Sequence, residues 1–249
     1  MPSEAPEPVL ARMEPLRPRG LRVRLHLDPP STGDAPPPEV ALEAVERLGL
    51  GVGDPLPGDR LRALLEADAD VRVRDAALNL LSHRARTRAE LRRRLRTKGF
   101  EPPRVEACLD RLEERGLLDD AEVAAAFVRD RLRLKPRGRA RLRSELRAKG
   151  VARSVAEGVV DRVLEEEEVT EAGLARRVAD RWVERQGAAT LAALVGRDRD
   201  EARRARRRLY GYLGRRGFRG RPLALAMERA VERARHATAG DEPAGAGDA

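Results

Sequence analysis

Apolar residues recur with the period of an amphipathic helix through most of this chain. From residue 70 onward they are spaced three or four positions apart, which is the spacing of the buried stripe of a helix. An earlier segment differs, because residues 21–27 alternate strictly between apolar and polar side chains, the pattern of a half-buried strand. The pattern therefore predicts a mainly helical protein with a small N-terminal part that contains one or more short strands.

One sequence frame occurs three times in the helical region, at residues 91–100, 142–151 and 209–218. It consists of leucine, three residues, leucine, two residues, a lysine or arginine, glycine and an apolar residue. The two leucines mark the buried stripe, and the cation suits the negative end of the helix dipole. The glycine can adopt the left-handed conformation that ends a helix. We therefore predict helix ends at Gly99, Gly150 and Gly217.

The frame is the centre of a longer repeat. Apolar residues after each glycine fall at matching offsets, and an amphipathic segment precedes each copy. We predict an all-α fold with three tandem three-helix repeats at residues 71–120, 121–168 and 169–237, the third with an insertion at roughly 188–200. Units this small bury little surface alone, so we expect them to pack into an elongated curved array.

The ends of the chain have a different character. Residues 1–20 are rich in proline, glutamate and arginine, which predicts a disordered extension, and residues 238–249 are predicted to be a disordered tail. Between the extension and the repeats, residues 21–70 predict a small α+β segment. It would hold the strand and short helices at about 39–48 and 57–66.

Composition narrows the function classes. The 249 residues are 37% charged and 2% aromatic, which disfavours β-sandwiches and aromatic platforms that stack bases. No apolar run approaches the length of a membrane span, and no signal peptide is recognisable. One cysteine and three scattered histidines predict neither a disulfide nor a zinc site. We expect a soluble, cytoplasmic monomer that does not associate with membranes.

The sequence holds no recognisable catalytic constellation. Asp119 and Asp120 form a pair of carboxylates, but they precede an apolar helix and are better interpreted as its N-terminal cap. Cys108 and Trp182 fall on apolar stripes, which predicts core positions. The protein is therefore predicted to be non-catalytic, with no cofactor and no metal.

Positive charge is concentrated in the last two-thirds of the chain. The formal net charge is +9, and 11 arginines face three acids between Arg197 and Arg221. Such a block is typical of a surface that binds a polyanion or an acidic protein. The alternative is a solvated helix face, since this chain uses arginine throughout.

The candidate binding residues lie on or next to the second helix of each repeat, and they could join into one basic strip. They are Arg84, Arg86, Arg88, Arg92, Arg93, Arg94, Lys98, Arg139, Arg141, Arg143, Arg147, Lys149, Arg203, Arg204, Arg206, Arg207, Arg208, Arg215, Arg216 and Arg219.

These repeats resemble a known family. The first repeat carries Ala77-Leu-Asn-Leu-Leu81-Ser-His-Arg84, Arg86-Thr-Arg, Glu90-Leu91, Leu95 and Gly99-Phe100, then Leu112, Gly116-Leu-Leu and Asp119-Asp120; the second carries Phe127-Val128-Arg129, Lys135, Gly138, Leu142, Leu146 and Gly150. This pattern strongly resembles the RecX family of recombination regulators. The match is specific through about residues 71–165 and looser through 169–237. Val123 departs from it, since an aromatic residue is usual there.

The resemblance implies tandem three-helix repeats and a non-catalytic negative regulator of homologous recombination and the SOS response. Such a protein would bind the RecA recombinase and its filament on DNA, and would limit ATP hydrolysis, strand exchange and co-protease activity. The expected partners are RecA and single- and double-stranded DNA. The cations given above would form this DNA- or RecA-binding surface.

A second hypothesis stays open. The Arg-rich helices could belong to a stand-alone DNA-binding protein or transcriptional regulator that reads duplex DNA through a helix-turn-helix. Base-specific reading is disfavoured because Asn79 and Gln186 are the only side-chain amides, and neither lies on those helices.

Overall fold

The computed structural model of the chain describes residues 7–16, 21–30 and 36–239. These residues form two compact units. The first contains the described residues of Met1–Arg86 and Leu91–Leu118, and the second contains those of Thr87–Glu90 and Asp119–Ala249. Each unit has its own core, and the two are described separately.

The first unit begins with a three-stranded antiparallel sheet in the order β1-β2-β3. Its strands are β1 (Val9–Pro15), β2 (Arg22–Asp28) and β3 (Glu39–Ala41), followed by α1 (Leu42–Arg47). Leu10, Leu25 and Val40 are completely buried and pack with apolar residues of the long helix that comes after α1. The small sheet therefore has one apolar face, which a helix covers.

That covering helix is α2 (Gly58–His83), which α3 (Arg88–Thr97) and α4 (Pro102–Glu114) follow. Asp68 of α2 is buried at 4% exposure and accepts a 2.7 Å hydrogen bond from the backbone N–H of Ala41. The same carboxylate lies 3.1 Å from the guanidinium of Arg22. One buried side chain thus joins the helix to two strands.

Three sequence predictions for this unit were wrong. Residues 9–15 form a strand instead of part of a disordered extension, because Leu10 reaches the core and β2 pairs with the whole segment. Residues 57–66 are not a separate short helix, since α2 runs without a break through the predicted boundary at residue 70. Residues 39–41 form β3 rather than the start of a helix, because they pair with β2.

Several other predictions for this unit are confirmed. The alternating segment at residues 21–27 corresponds to strand β2. Cys108 is 6% exposed within the apolar face of α4, and burial raises the pKa of its thiol above the usual range. A neutral buried thiol is a poor nucleophile, as expected for a core residue.

Within the part of the chain that the structure describes, the second unit contains Thr87–Glu90, which includes the first turn of α3, and seven whole helices. They are α5 (Asp120–Leu134), α6 (Arg139–Ala148), α7 (Arg153–Glu166), α8 (Glu171–Val183), α9 (Ala188–Val195), α10 (Arg199–Arg215) and α11 (Gly220–Ala239). One apolar cluster runs through all of them and includes Trp182, which is 6% exposed, as predicted. The insertion predicted at residues 188–200 contains α9. The final helix continues through Ala239, so the first two residues of the predicted tail are helical, and residues 240–249 lie outside the described residues.

The repeated glycines end their helices as predicted. Gly99, Gly150 and Gly217 have φ values of 86°, 85° and 88°. Asp119 caps α5, accepting backbone hydrogen bonds from Ala121 and Glu122 at 2.7 and 3.0 Å. These helix ends could be predicted from the sequence because each depends on a few neighbouring residues.

The same contact occurs twice within the second unit. A Cβ on Gly150 would collide with Ala89, and a Cβ on Gly217 would lie 2.5 Å from the Cβ of Arg141. In each case the end of one helix lies against the beginning of an earlier one. A carboxylate at the start of a helix completes each contact: Asp120 accepts from the N–H of Arg88 at 2.7 Å, and Glu171 from that of Arg139 at 3.0 Å.

Within the described residues, none of the helices has the length and apolar character needed to cross a membrane.

Candidate nucleic-acid interface

Helix α10 has an apolar face and an opposite face covered with arginines. Asp198 begins the helix by accepting hydrogen bonds from the backbone N–H groups of Asp200 and Glu201 at 2.8 and 3.1 Å. These two bonds hold the pKa of the Asp198 carboxyl below its usual range. The buried stripe consists of Ala202, Ala205, Leu209 and Leu213. Packing of this stripe determines which side of the helix faces outward.

The outward side carries uncompensated charge. Arg203, Arg204, Arg206, Arg207 and Arg208 are exposed, and none forms a salt bridge with any described residue. Like charges one helical turn apart destabilise a helix by about 0.2–0.5 kcal/mol per pair. A bound polyanion would relieve this repulsion and would therefore stabilise the helix.

The arginine face borders a shallow groove of about 530 Å³. Arg197, Arg199, Arg203, Arg206 and Arg207 line it together with Gly196, Ala202, Tyr210 and Met227. The ring of Tyr210 is 59% exposed, which is unusual for a large side chain in a protein with so few aromatics. Guanidinium groups beside an exposed aromatic ring form the combination that binds single-stranded nucleic acid.

The cations of α6 are mostly neutralised within the protein. Arg139 and Arg143 both contact the carboxylate of Asp161, Arg143 at 2.8 Å, and Arg139 also lies 3.7 Å from Glu171. Arg141 pairs with Glu145 at 2.8 Å. Of the α6 arginines in the predicted set, only Arg147 is exposed without a salt bridge to a described residue.

Lys149, which follows α6, contacts the beginning of α3 and the residue before it. Its ammonium group lies 3.0 Å from the carboxylate of Glu90 and 5.4 Å from the centre of the Phe127 ring. Thr87 donates a hydrogen bond to the carbonyl oxygen of Lys149 at 2.7 Å, and the N–H of Glu90 donates to Thr87 at 3.2 Å. Lys149 therefore stabilises the helical packing of the second unit.

The cations on and near α3 fall into two groups, those that contact other groups of the protein and those that form no salt bridge with a described residue. Arg92 makes two hydrogen bonds with Glu106, at 2.6 and 2.8 Å. The guanidinium of Arg84 donates to the carbonyl oxygen of Ala85, and that of Arg86 donates to Leu80. In contrast, Arg93, Arg94 and Lys98 are exposed and form no salt bridge with a described residue.

The remaining predicted cations are the last residue of α10 and two residues that follow it. Arg215 and Arg219 are exposed, whereas Arg216 folds back so that its guanidinium lies 3.5 Å from the centre of the Tyr212 ring. It stays a prediction that the whole set binds a partner, and that its clusters join into a single strip. The structure adds Arg197, Arg199 and Tyr210, which sequence reasoning did not select. The net charge of residues 197–221 already pointed to the two arginines, but nothing in the sequence marked the exposed ring.

Comparisons with known proteins show which family this chain resembles. Two family models match the chain: "RecX, first three-helix domain" at residues 74–112 and "RecX, second three-helix domain" at residues 119–160. A regulatory protein RecX from Halorhodospira halophila is 41% identical over 160 residues, which are 64% of this chain and 89% of that protein. The chain belongs to the RecX family.

Two further RecX proteins are similar to this chain. A regulatory protein RecX from Pseudomonas fluorescens is 47% identical over 66 residues, covering 26% of this chain and 43% of that protein. A crystal structure of a regulatory protein RecX superposes with a TM-score of 0.65 at 21% identity and covers 91% of this chain and 99% of the other. That structure confirms the mainly helical fold that the repeats predicted.

Proposed function

We propose that this protein is a non-catalytic negative regulator of homologous recombination and the SOS response. It binds RecA and RecA filaments on DNA and limits their ATP hydrolysis, strand exchange and co-protease activity. Membership of the RecX family supports a regulatory role. The feature of this chain that carries the proposal is the outward face of α10, with its five exposed arginines free of salt bridges to the described residues.

The chemistry of this face suits a filament of protein and DNA. Guanidinium groups donate paired hydrogen bonds to phosphates and to carboxylates, so one surface can contact the DNA backbone and acidic side chains of RecA. The cations on α3 and α6 contribute less, because several of them are engaged in ion pairs of the protein itself. We therefore place the principal contact surface on α10 and the groove beside it.

The test is the rate of ATP turnover by RecA on single-stranded DNA as this protein is added. The wild-type protein lowers the rate, and the triple variant R203Q/R206Q/R207Q requires a higher concentration for the same effect. The triple variant R176Q/R177Q/R235Q is the matched control, because these three arginines are also exposed and free of salt bridges to described residues but lie on α8 and α11. Unchanged ATP turnover at stoichiometric wild-type protein contradicts the proposal.

A stand-alone DNA-binding protein is the second candidate, favoured by the exposed ring of Tyr210 within the basic groove. It would bind DNA equally well with and without RecA. Binding measured by fluorescence anisotropy, with RecA absent or present, separates the two. If RecA has no influence on binding and ATP turnover is unaffected, the stand-alone function replaces the first.

A further inference from the structure

A second, smaller concentration of positive charge lies elsewhere in the second unit. A cleft of about 360 Å³ is lined by Leu134, Lys135, Pro136, Arg137, Val178, Arg181, Arg185, Tyr212 and Arg216. We name it the anion pocket. Five of these nine residues are cations, and none of the described lining residues is an acid. Its size falls within the range of roughly 300–1,000 Å³ that is typical of sites for small molecules.

Backbone contacts hold the walls of the anion pocket in place. The N–H of Gly138 donates a 2.8 Å hydrogen bond to the carbonyl oxygen of Arg216. A Cβ on Gly138 would lie 2.6 Å from the carbonyl oxygen of Gly217, so only glycine permits this approach. The segment that carries Lys135 and Arg137 is thus attached directly to the end of α10. The third wall is formed by α8 and the turn that follows it, which carry Arg181 and Arg185 respectively.

The positive charge in the pocket is poorly compensated. Glu145 is the carboxylate that reaches Arg137, at 3.9 Å, but it is shared with Arg131 at 3.0 Å and Arg141 at 2.8 Å. The Nε atom of Arg137 is buried and has no hydrogen-bond partner among the described residues. Buried polar groups nearly always have partners, so the missing partner of this donor is consistent with a ligand in the pocket.

The other cations of the pocket have no acidic partner among the described residues. Lys135, Arg181 and Arg185 form no salt bridge with any residue in the described part of the chain. The guanidinium of Arg216 lies over the ring of Tyr212, to whose carbonyl oxygen it donates a 3.3 Å hydrogen bond. Burial, together with the positive charges of Arg137, Arg215 and Arg185, holds the pKa of Arg216 below its usual range.

We propose that the anion pocket binds a phosphate group with two or more negative charges. This group is either the phosphate chain of a free nucleotide or the terminal phosphate of a DNA strand. A compact, multiply charged group satisfies several guanidinium forks at once, whereas a single carboxylate leaves most of the five charges unpaired. The assignment concerns a site separate from the groove beside α10 and does not rest on RecA binding.

The first test uses inorganic pyrophosphate as the probe, with isothermal titration calorimetry of the full chain at low ionic strength. Wild-type protein binds with one site, and the variant R181Q/R185Q binds at least tenfold more weakly. The variant R176Q/R177Q is the matched control, because it removes the same charge at positions of α8 that line a different surface. Its affinity stays within twofold of wild type.

Two results overturn the assignment at this stage. One is the absence of binding to wild-type protein. The other is an equal loss of affinity in both double variants, which would indicate a general effect of net charge. All four exchanged arginines are exposed, so circular dichroism should show identical helical content in the variants.

A second experiment distinguishes the two sources of phosphate. Competition by ADP at a concentration similar to that of pyrophosphate identifies a free nucleotide. Tighter binding of a 5′-phosphorylated oligonucleotide than of its 5′-hydroxyl form, with the difference lost in R181Q/R185Q, identifies a strand end. If neither competes with pyrophosphate, the pocket holds an adventitious ion only and the proposal is wrong.

Discussion

The backbone N–H of Gly138 donates a hydrogen bond of 2.8 Å to the carbonyl oxygen of Arg216, although 78 positions separate them in the sequence. Gly217 makes this approach feasible from the other side, because a Cβ there would lie 2.6 Å from the backbone nitrogen of Arg141. The beginning of α6 and the end of α10 are therefore in direct backbone contact. Two glycines determine how these helices of the second unit meet.

The repeated glycines should differ in their tolerance of alanine. Gly99→Ala should destabilise the protein by about 1–2 kcal/mol, the cost of a left-handed conformation for a residue with a Cβ. Gly150→Ala and Gly217→Ala should cost more, because their Cβ atoms also collide with Ala89 and Arg141. The measurement is urea unfolding followed by far-UV circular dichroism.

Gly158→Ala is the control for this series. Gly158 lies in the middle of α7, is exposed, and a Cβ there meets no atom within 4 Å. The substitution should stabilise the helix by roughly 0.5–1 kcal/mol. Equal costs at the three repeated glycines would show that the packing at Gly150 and Gly217 is unimportant.

The arginines beside the α10 groove should account for part of the salt dependence of DNA binding. Each phosphate contact on a single strand contributes roughly 0.7 to the slope of log affinity against log salt concentration. R203Q/R206Q/R207Q should therefore reduce the magnitude of the slope by about 2. Anisotropy titrations at several salt concentrations provide the measurement, and R176Q/R177Q/R235Q should leave the slope unchanged. An unchanged slope in the first variant would identify a solvated helix face.

The exposed ring of Tyr210 should contribute through stacking on a base. Tyr210→Ala should weaken binding of a single-stranded oligonucleotide by about 1–3 kcal/mol, the usual contribution of one stacked base. Tyr210→Phe keeps the ring and should bind almost as wild type. The comparison is made by anisotropy at low salt. If phenylalanine and alanine give the same loss, the hydroxyl rather than the ring makes the contact.

Asp68 should be essential for attaching α2 to the sheet. Asp68→Ala removes the acceptor of the Ala41 N–H and the partner of Arg22, which should cost about 3 kcal/mol. Faster hydrogen exchange at the Ala41 amide would show the loss directly. Asp75→Ala on the same helix removes an exposed partner of Arg74 and should cost less than about 1 kcal/mol. Similar exchange rates in the two variants would contradict a special role for Asp68.

The local signals in the sequence were sufficient for most of the helical part. Leucine spacing indicates which face is buried, Asp119 caps a helix, and Gly99, Gly150 and Gly217 end helices. Each signal depends on residues within one or two turns, so it can be recognised without knowledge of the tertiary fold. The failures were strands β1 and β3 and the merging of residues 58–83 into one helix. A short strand depends on its pairing partner, which sequence periodicity does not reveal.

By itself, the sequence determined the repeat, the helical class, the family resemblance and the location of the basic segments. Only the tertiary structure decided which cations are available to a partner. Arg139 and Arg143 are engaged because Asp161, which is 22 and 18 positions from them in the sequence, lies beside them, whereas no carboxylate of a described residue forms a salt bridge with Arg203 or Arg207. The physical reason is that an ion pair requires a separation of a few ångströms, and packing brings distant residues that close.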